Sequence, residues 1–169
     1  MLEQWRRERP DIDASAMAVF GRLHRSFNRY QAQLVRLFDS HDLSMSAFSV
    51  LAALRRLGAP FRCTAGELAD TNLVSTGGIT QRVDKLEKEG LVRRDRHPED
   101  RRIVYVELTD KGLAVIDQVA AAHFANEAKM LGGLSPTERT QLSRLLSRLE
   151  HSLDLAEMQS RAANDGHSR

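Results

Sequence analysis

The hydrophobic period of this chain changes once and then changes back. Up to Gly90 the apolar residues recur every three or four positions. From Leu91 to Leu108 they fall in two short runs rich in β-branched residues, and at Thr109 the helical spacing resumes. One β interruption between long helical stretches excludes sheet architectures and confines the β structure to a hairpin. Its strands are 91–94 and 103–108, joined by the charged segment 95–102.

Local signals set the helices around that interruption. Met17, Phe20, Leu23, Phe27, Tyr30, Leu34 and Leu37 give one apolar stripe on a helix over about 13–39. A second helix follows Ser46, buries Phe48, Leu51 and Leu54, and ends near Leu57, where Gly58 and Pro60 break the pattern. Thr64-Ala65-Gly66-Glu67 has capping-box spacing and opens a short third helix. Asn72-Leu73-Val74 makes a turn, Ser75 caps a fourth helix, and Gly90 supplies its left-handed stop. Thr109 then caps a long helix bearing Leu113, Ile116, Val119, Ala120, His123 and Phe124, interrupted at Gly132-Gly133. Ser135-Pro136-Thr137-Glu138 opens a last helix carrying Leu142, Leu145, Leu146, Leu149 and Leu153, and from about Gln159 the chain reads as a frayed tail.

A short helix, a turn and a capped helix form a helix-turn-helix, and the appended hairpin makes it a winged one. The expected class is mainly α with a small β-hairpin, a winged helix-turn-helix with N- and C-terminal dimerisation helices. The expected division is an N-terminal extension and first dimerisation helix over 1–40, the winged unit over 41–108, C-terminal dimerisation helices over 109–158, and a flexible tail over 159–169. Dimerisation follows because the leucine-rich last helix and the first stripe exceed what one winged unit covers.

Such a fold suits duplex DNA: a helix enters the major groove, and an arginine-tipped hairpin reaches the minor groove. If Ile79 points inward, Val83 and Leu86 share its face, leaving Gly77, Gln81, Asp84, Lys85 and Lys88 outward. Gly77 and Gly78 each cost about 1 kcal/mol in a helix, which fits close approach of another backbone, a phosphate strand or a neighbouring helix. Helix amino-termini at Ser46, Thr64 and Ser75 are placed to hold phosphates through backbone amides. Gln81, with Thr76, Gly77, Gly78, Thr80 and Lys85 around it, is placed to meet bases and backbone. Arg96, Asp100, Arg101 and Arg102 stand in the hairpin. Net charge is only +2 with a pI near 9.0, so overall charge argues weakly for nucleic acid.

The segments Glu67-Leu68-Ala69, Ser75 through Val92, Asp100-Arg101-Arg102 and Leu108-Thr109-Asp110-Lys111-Gly112 together resemble the MarR family of regulators, over roughly residues 13 to 155. The resemblance implies a dimer with interlocked terminal helices that binds a palindromic operator, usually relieved by a ligand. It implies Arg102 as the minor-groove arginine and Asp100 as the residue orienting it. The first turn, Trp5 through Asp13, is similar to the N-terminal extension of the family's urate-responsive branch. Trp5, Arg82 and Arg94 stand at its tryptophan and arginine positions, and Ser49 stands where that branch has an aspartate. This implies a small organic anion as effector, with Arg82 and Arg94 supplying charge and Trp5 an apolar wall. With Ser49 in place of a carboxylate, the pocket is expected to take an anion without first breaking an ion pair. The alternative is that Trp5 anchors an extra helix on the dimer and senses nothing.

Other chemistry is thin. The histidines include no His-x-x-x-His pair, so no metal site or cofactor is expected. No phosphate loop or nucleophile elbow is present, which argues against an enzyme. Cys63, the single cysteine, reads as a small half-buried structural residue, with a redox-sensing regulator as the alternative. A winged protein-interaction module without DNA contact is a second alternative. The charged first residues and the lack of an 18-residue apolar run point to a cytoplasmic protein with no membrane partner.

Overall fold

A computed structural model describes residues 2–72, 76–100 and 103–167, with backbone alone at 71–72, 76–77 and 164–167. The expected Ser75 cap and the hairpin arginines Arg101 and Arg102 therefore lie outside the described residues. The elements in chain order are α1 (Leu2–Glu8), α2 (Met17–Asp39), α3 (Met45–Arg56), β1 (Arg62–Thr64), α4 (Ala65–Asn72), α5 (Thr76–Lys88), β2 (Val92–Arg96), β3 (Val104–Leu108), α6 (Asp110–Met130) and α7 (Pro136–His167). The fold is mainly helical with a small antiparallel sheet, as the periodicity requires.

Four features differ from those read in the sequence. The sheet has three strands in the order β1-β3-β2, so the hairpin acquires a neighbour. β1 is too short to show alternation, and it exists because tertiary pairing sets Cys63 opposite Val106 and Leu108 N donates to Phe61 O at 3.1 Å. The cap of α3 is Ser44, whose Oγ accepts from Ala47 N at 3.1 Å; Ser46 lies inside the first turn. Helix α7 continues to His167 rather than fraying near Gln159, with Arg161 paired to Glu157 one turn back. In addition α2 starts at Met17, after an Asp13 side chain that accepts from Ser15 N at 2.9 Å and so holds the preceding turn out of the helix.

The chain divides into one unit ending at His123 and another beginning at Phe124. In the first, α3 is the central helix and contributes Val50, Leu51 and Leu54 to a core completed by Phe38, Leu68, Ile79, Val83, Leu86, Val106 and Ile116. Phe38, Phe48 and His123 form an aromatic cluster, with Phe38 and Phe48 centroids 4.6 Å apart. Arg55 on α3 reaches Asp117 on α6 at 2.6 Å. In the second unit, the Ser135–Glu138 capping box forms as read, and Arg139 returns to the carbonyls of Leu134 and Leu131 at 3.0 and 2.9 Å.

The middle of the apolar stripe on α2 is not covered by the described residues of this chain. Leu34 and Phe38 are buried, but Phe20, Leu23 and Phe27 stand exposed, Phe27 at 51%. Leu142, Leu145 and Leu153 on α7 are exposed as well, Leu145 at 59%.

Candidate nucleic-acid interface

Thr64 and Glu67 make the reciprocal box that starts α4: Thr64 N donates to Glu67 Oε2 at 2.7 Å, and Glu67 N donates to Thr64 Oγ1 at 3.3 Å. The Thr64 hydroxyl also donates to the same carboxylate at 2.9 Å, so its side chain is engaged in the cap. Helix α5 buries Ile79, Val83 and Leu86 against the core, as the helical wheel requires. Gly90, with φ of 72°, ends it, and Leu91 N returns to Leu86 O at 2.9 Å in a Schellman closure.

The outward side of α5 shows Thr80, Gln81 and Lys85 exposed. Ser44, Ser46, Ala47, Gly78, Gln81, Arg82 and Lys85 line one open groove of about 430 Å³ between the amino-terminal turn of α3 and this face. The groove thus brings together Ser46, Gly78, Gln81 and Lys85, four of the residues expected at DNA. Thr64 stands at the neighbouring helix start, while the backbone of α5 begins at Thr76 and Gly77.

Asp84 does not belong to that outward face. It is half-buried, and its carboxylate takes Arg94 of β2 at 2.5 Å; Glu87 takes the same guanidinium and also accepts Arg94 N at 3.1 Å. Burial acts to lower the Arg94 pKa, but the bonds to Asp84 and Glu87 outweigh it and raise it. The expectation that an anion meets no ion pair here does not hold for Arg94: with Ser49 offering no carboxylate, Asp84 and Glu87 supply the pair. Arg82 lies on the opposite flank of the buried stripe, in the Gln81 groove. Ser49 donates to Met45 O at 3.0 Å within α3, and Trp5 lines a shallow groove with Gln4 and Glu8. Trp5 and Arg82 thus line different grooves, and Arg94 is held by Asp84 and Glu87.

In the hairpin, β2 and β3 pair Arg96 with Val104, and Arg96 is exposed at the end of its strand. The loop is shaped by His97, whose Nδ1 accepts from Glu99 N at 3.2 Å and Asp100 N at 3.3 Å, while His97 N donates to Ile103 O at 3.0 Å. Sequence reasoning missed His97 because it asked of histidines only whether they could bind metal. The missed Asp84 and Glu87 carried a signal, two acidic residues at i and i+3 in a helix followed by an arginine-rich strand.

The residues Thr109, Lys111 and Gly112 act together at the root of the wing. Thr109 Oγ1 donates to Gly90 O at 2.8 Å and caps α6 by accepting from Gly112 N at 3.0 Å. Lys111 Nζ donates to Glu89 O at 2.7 Å at the carboxyl end of α5. A Cβ on Gly112 would stand 1.9 Å from Leu91 O, so only glycine fits. Cys63 is 7% exposed, and burial, with the Glu67 charge second, pushes its thiol up to about 11. Such a thiol is a poor nucleophile, which speaks against redox sensing there.

Among the described residues no group of acidic, histidine or cysteine side chains could hold a metal, and no helix is long and apolar enough to cross a membrane. The family model for the MarR family matches residues 41–103, from the start of α3 to the wing. The transcriptional regulator PecS of Dickeya dadantii is 38% identical over 153 residues, 90% of this chain and 92% of that protein. Among solved structures, an Escherichia coli MarR mutant complexed with operator DNA matches at a TM-score of 0.68 and 26% identity, over 82% of this chain and 99% of that one. Bordetella bronchiseptica BpsR, whose DNA binding is regulated by 6-hydroxynicotinic acid, matches at a TM-score of 0.67 and 26% identity, over 79% and 98% of the two chains. With its winged fold, its α5 groove and a relative this similar along nearly its whole length, the chain belongs to the MarR family of DNA-binding transcription regulators and is not an enzyme.

Proposed function

We propose that the protein is a repressor that binds a palindromic operator as a homodimer and is released by a small organic anion. The observation that carries this reading is the exposed Gln81–Lys85 face of α5, edged by Arg82 and by the amino-terminal turn of α3. Gln81 can address a base edge through a bidentate amide, while backbone amides at Ser46, Thr64 and Ser75 hold phosphates. Thr76, Gly77, Gly78, Thr80 and Lys85 approach the backbone beside it. In the wing, Arg102 enters the minor groove with Asp100 orienting it, and Arg96 and Arg101 add phosphate contacts. The uncovered stripes of α2 and α7 support a two-fold dimer, and a two-fold protein reads a palindrome. A partner of this kind places the protein in the cytoplasm.

The effector reading rests on the resemblance to the urate-responsive branch at Trp5, Arg82 and Arg94, with Ser49 in the aspartate position, and on the regulation of BpsR by an aromatic acid. In this chain an anion reaching Arg94 competes with Asp84 and Glu87. Success would free α5 from β2, and DNA affinity would drop only by the anion's differential affinity for the two arrangements.

The test is fluorescence anisotropy with the duplex upstream of the protein's own gene against a scrambled duplex, across a salt series. The specific duplex is expected to bind more tightly, with affinity falling steeply as salt rises. Gln81→Ala should relax preference at one base position by about 1 to 3 kcal/mol, while Arg102→Ala weakens every duplex and flattens the salt slope. Urate and 6-hydroxynicotinate are then titrated against the complex in wild type, Arg82→Ala and Arg94→Ala. Equal affinity for both duplexes defeats the operator reading, and no binding to either favours an interaction module; release unaffected by either arginine variant defeats the effector site alone.

A further inference from the structure

A second cleft of the first unit lies away from the α5 groove. It holds about 510 Å³ between the carboxyl end of α3, β1, the first turn of α4 and β3, a size common for small-molecule sites. Its apolar lining includes the buried Ala53 and Leu68, with Leu57, 56% exposed, at the mouth. Arg56 and Arg62 stand on the rim. Arg56 is exposed and makes no hydrogen bond or ion pair among the described residues. Arg62 lies over the Tyr105 ring at 4.8 Å and approaches Asp95 only to 3.8 Å. The one carboxylate in the lining, Glu67, is turned to the amide and hydroxyl of Thr64.

We propose that this cleft is a second small-molecule site, taking a hydrophobic monocarboxylate whose hydrocarbon body covers Leu57 and Leu68 and whose carboxylate meets Arg56 and Arg62. An uncommitted guanidinium offers a bidentate partner to a carboxylate, and the exposed leucine gains from being covered. A dianion is disfavoured because Glu67 and Asp95 flank the rim. The site shares no residue with the effector reading above and stands or falls separately from it.

The experiment titrates the full-length protein, without DNA, with 2-naphthoate, with octanoate and with the neutral 2-naphthamide, followed by amide shifts in nitrogen-edited NMR. Saturable shifts at Cys63, Leu68 and Tyr105 are expected for both acids, with 2-naphthamide weaker by about tenfold. Arg56→Gln should weaken the acids by a similar factor and leave the amide unchanged; Leu57→Ser should weaken all three. Both positions are exposed, so the variants keep the wild-type melting temperature. No saturation below about 10 mM overturns the proposal. So does acid binding that survives Arg56→Gln and Leu57→Ser, or binding abolished by Arg82→Ala or Arg94→Ala.

Discussion

Gly112 and Cys63 show how much a single position constrains. Gly112 sits where α6 crosses the Gly90-Leu91 turn, and a methyl group there would enter the backbone carbonyl of Leu91 at 1.9 Å. Neither partner is a flexible side-chain end, so Gly112→Ala must move α6 or the root of the wing. We expect it to cost about 1 to 3 kcal/mol, visible as a lower urea midpoint, and to weaken DNA binding beyond what the lost stability explains. An unchanged midpoint would show that the junction yields freely. At Cys63 the raised pKa of about 11, against an ordinary 9.0, makes the thiolate near neutral pH about a hundredfold scarcer than in the unfolded chain. Iodoacetamide should therefore label native protein at least that much more slowly than urea-unfolded protein, and comparable rates would revive the redox alternative.

Between elements, the Arg94 clamp joins the recognition helix to the wing through Asp84 and Glu87. These side chains are a third to a half exposed, so solvent screening keeps the pair's contribution to global stability modest, about 1 kcal/mol or less. Its weight lies in orientation: Arg94→Gln should leave the melting temperature nearly unchanged yet lower operator affinity, and Asp84→Asn in the same background should add little further. Additive losses would mean that the residues act independently. The Thr64–Glu67 box gives a pH-dependent counterpart. Its hydrogen bonds hold the Glu67 carboxyl below the usual range, so its stabilisation is present above the unfolded carboxylate pKa of about 4.3 and fades as pH falls through the depressed folded value. Glu67→Gln should therefore lower the melting temperature slightly at neutral pH, with the difference vanishing under acid. Caps, stops and the buried face of α5 were legible because they are local rules of spacing and side-chain chemistry. The Ser44 cap was obscured by a second serine two residues on, β1 exists only through pairing with β3 far along the chain, and the Arg94 partners depend on how β2 lies against α5.

At the scale of the whole molecule, the apolar surface left over is the informative quantity. Phe20, Leu23 and Phe27 on α2 and Leu142, Leu145 and Leu153 on α7 are large side chains facing outward in stripes, where a monomer scatters such residues singly. The stripes belong to different units, so each can be tested alone. We expect Leu145→Glu to place a charge in the dimer contact and shift the protein toward monomer in analytical ultracentrifugation, and Phe27→Glu to do the same through α2. Helix content should stay close to wild type, because neither residue is part of a buried core here. The monomer would keep its α5 groove and so retain salt-dependent binding to any duplex, but it would lose the gain that two linked half-sites give. On a palindrome whose half-sites lie one turn apart, about 34 Å, the wild type should bind far more tightly than on a single half-site, and the variants should bind both alike. If Leu145→Glu remained dimeric, or if the monomer still preferred the palindrome, the stripe on α7 would have another partner and the operator symmetry would need another source.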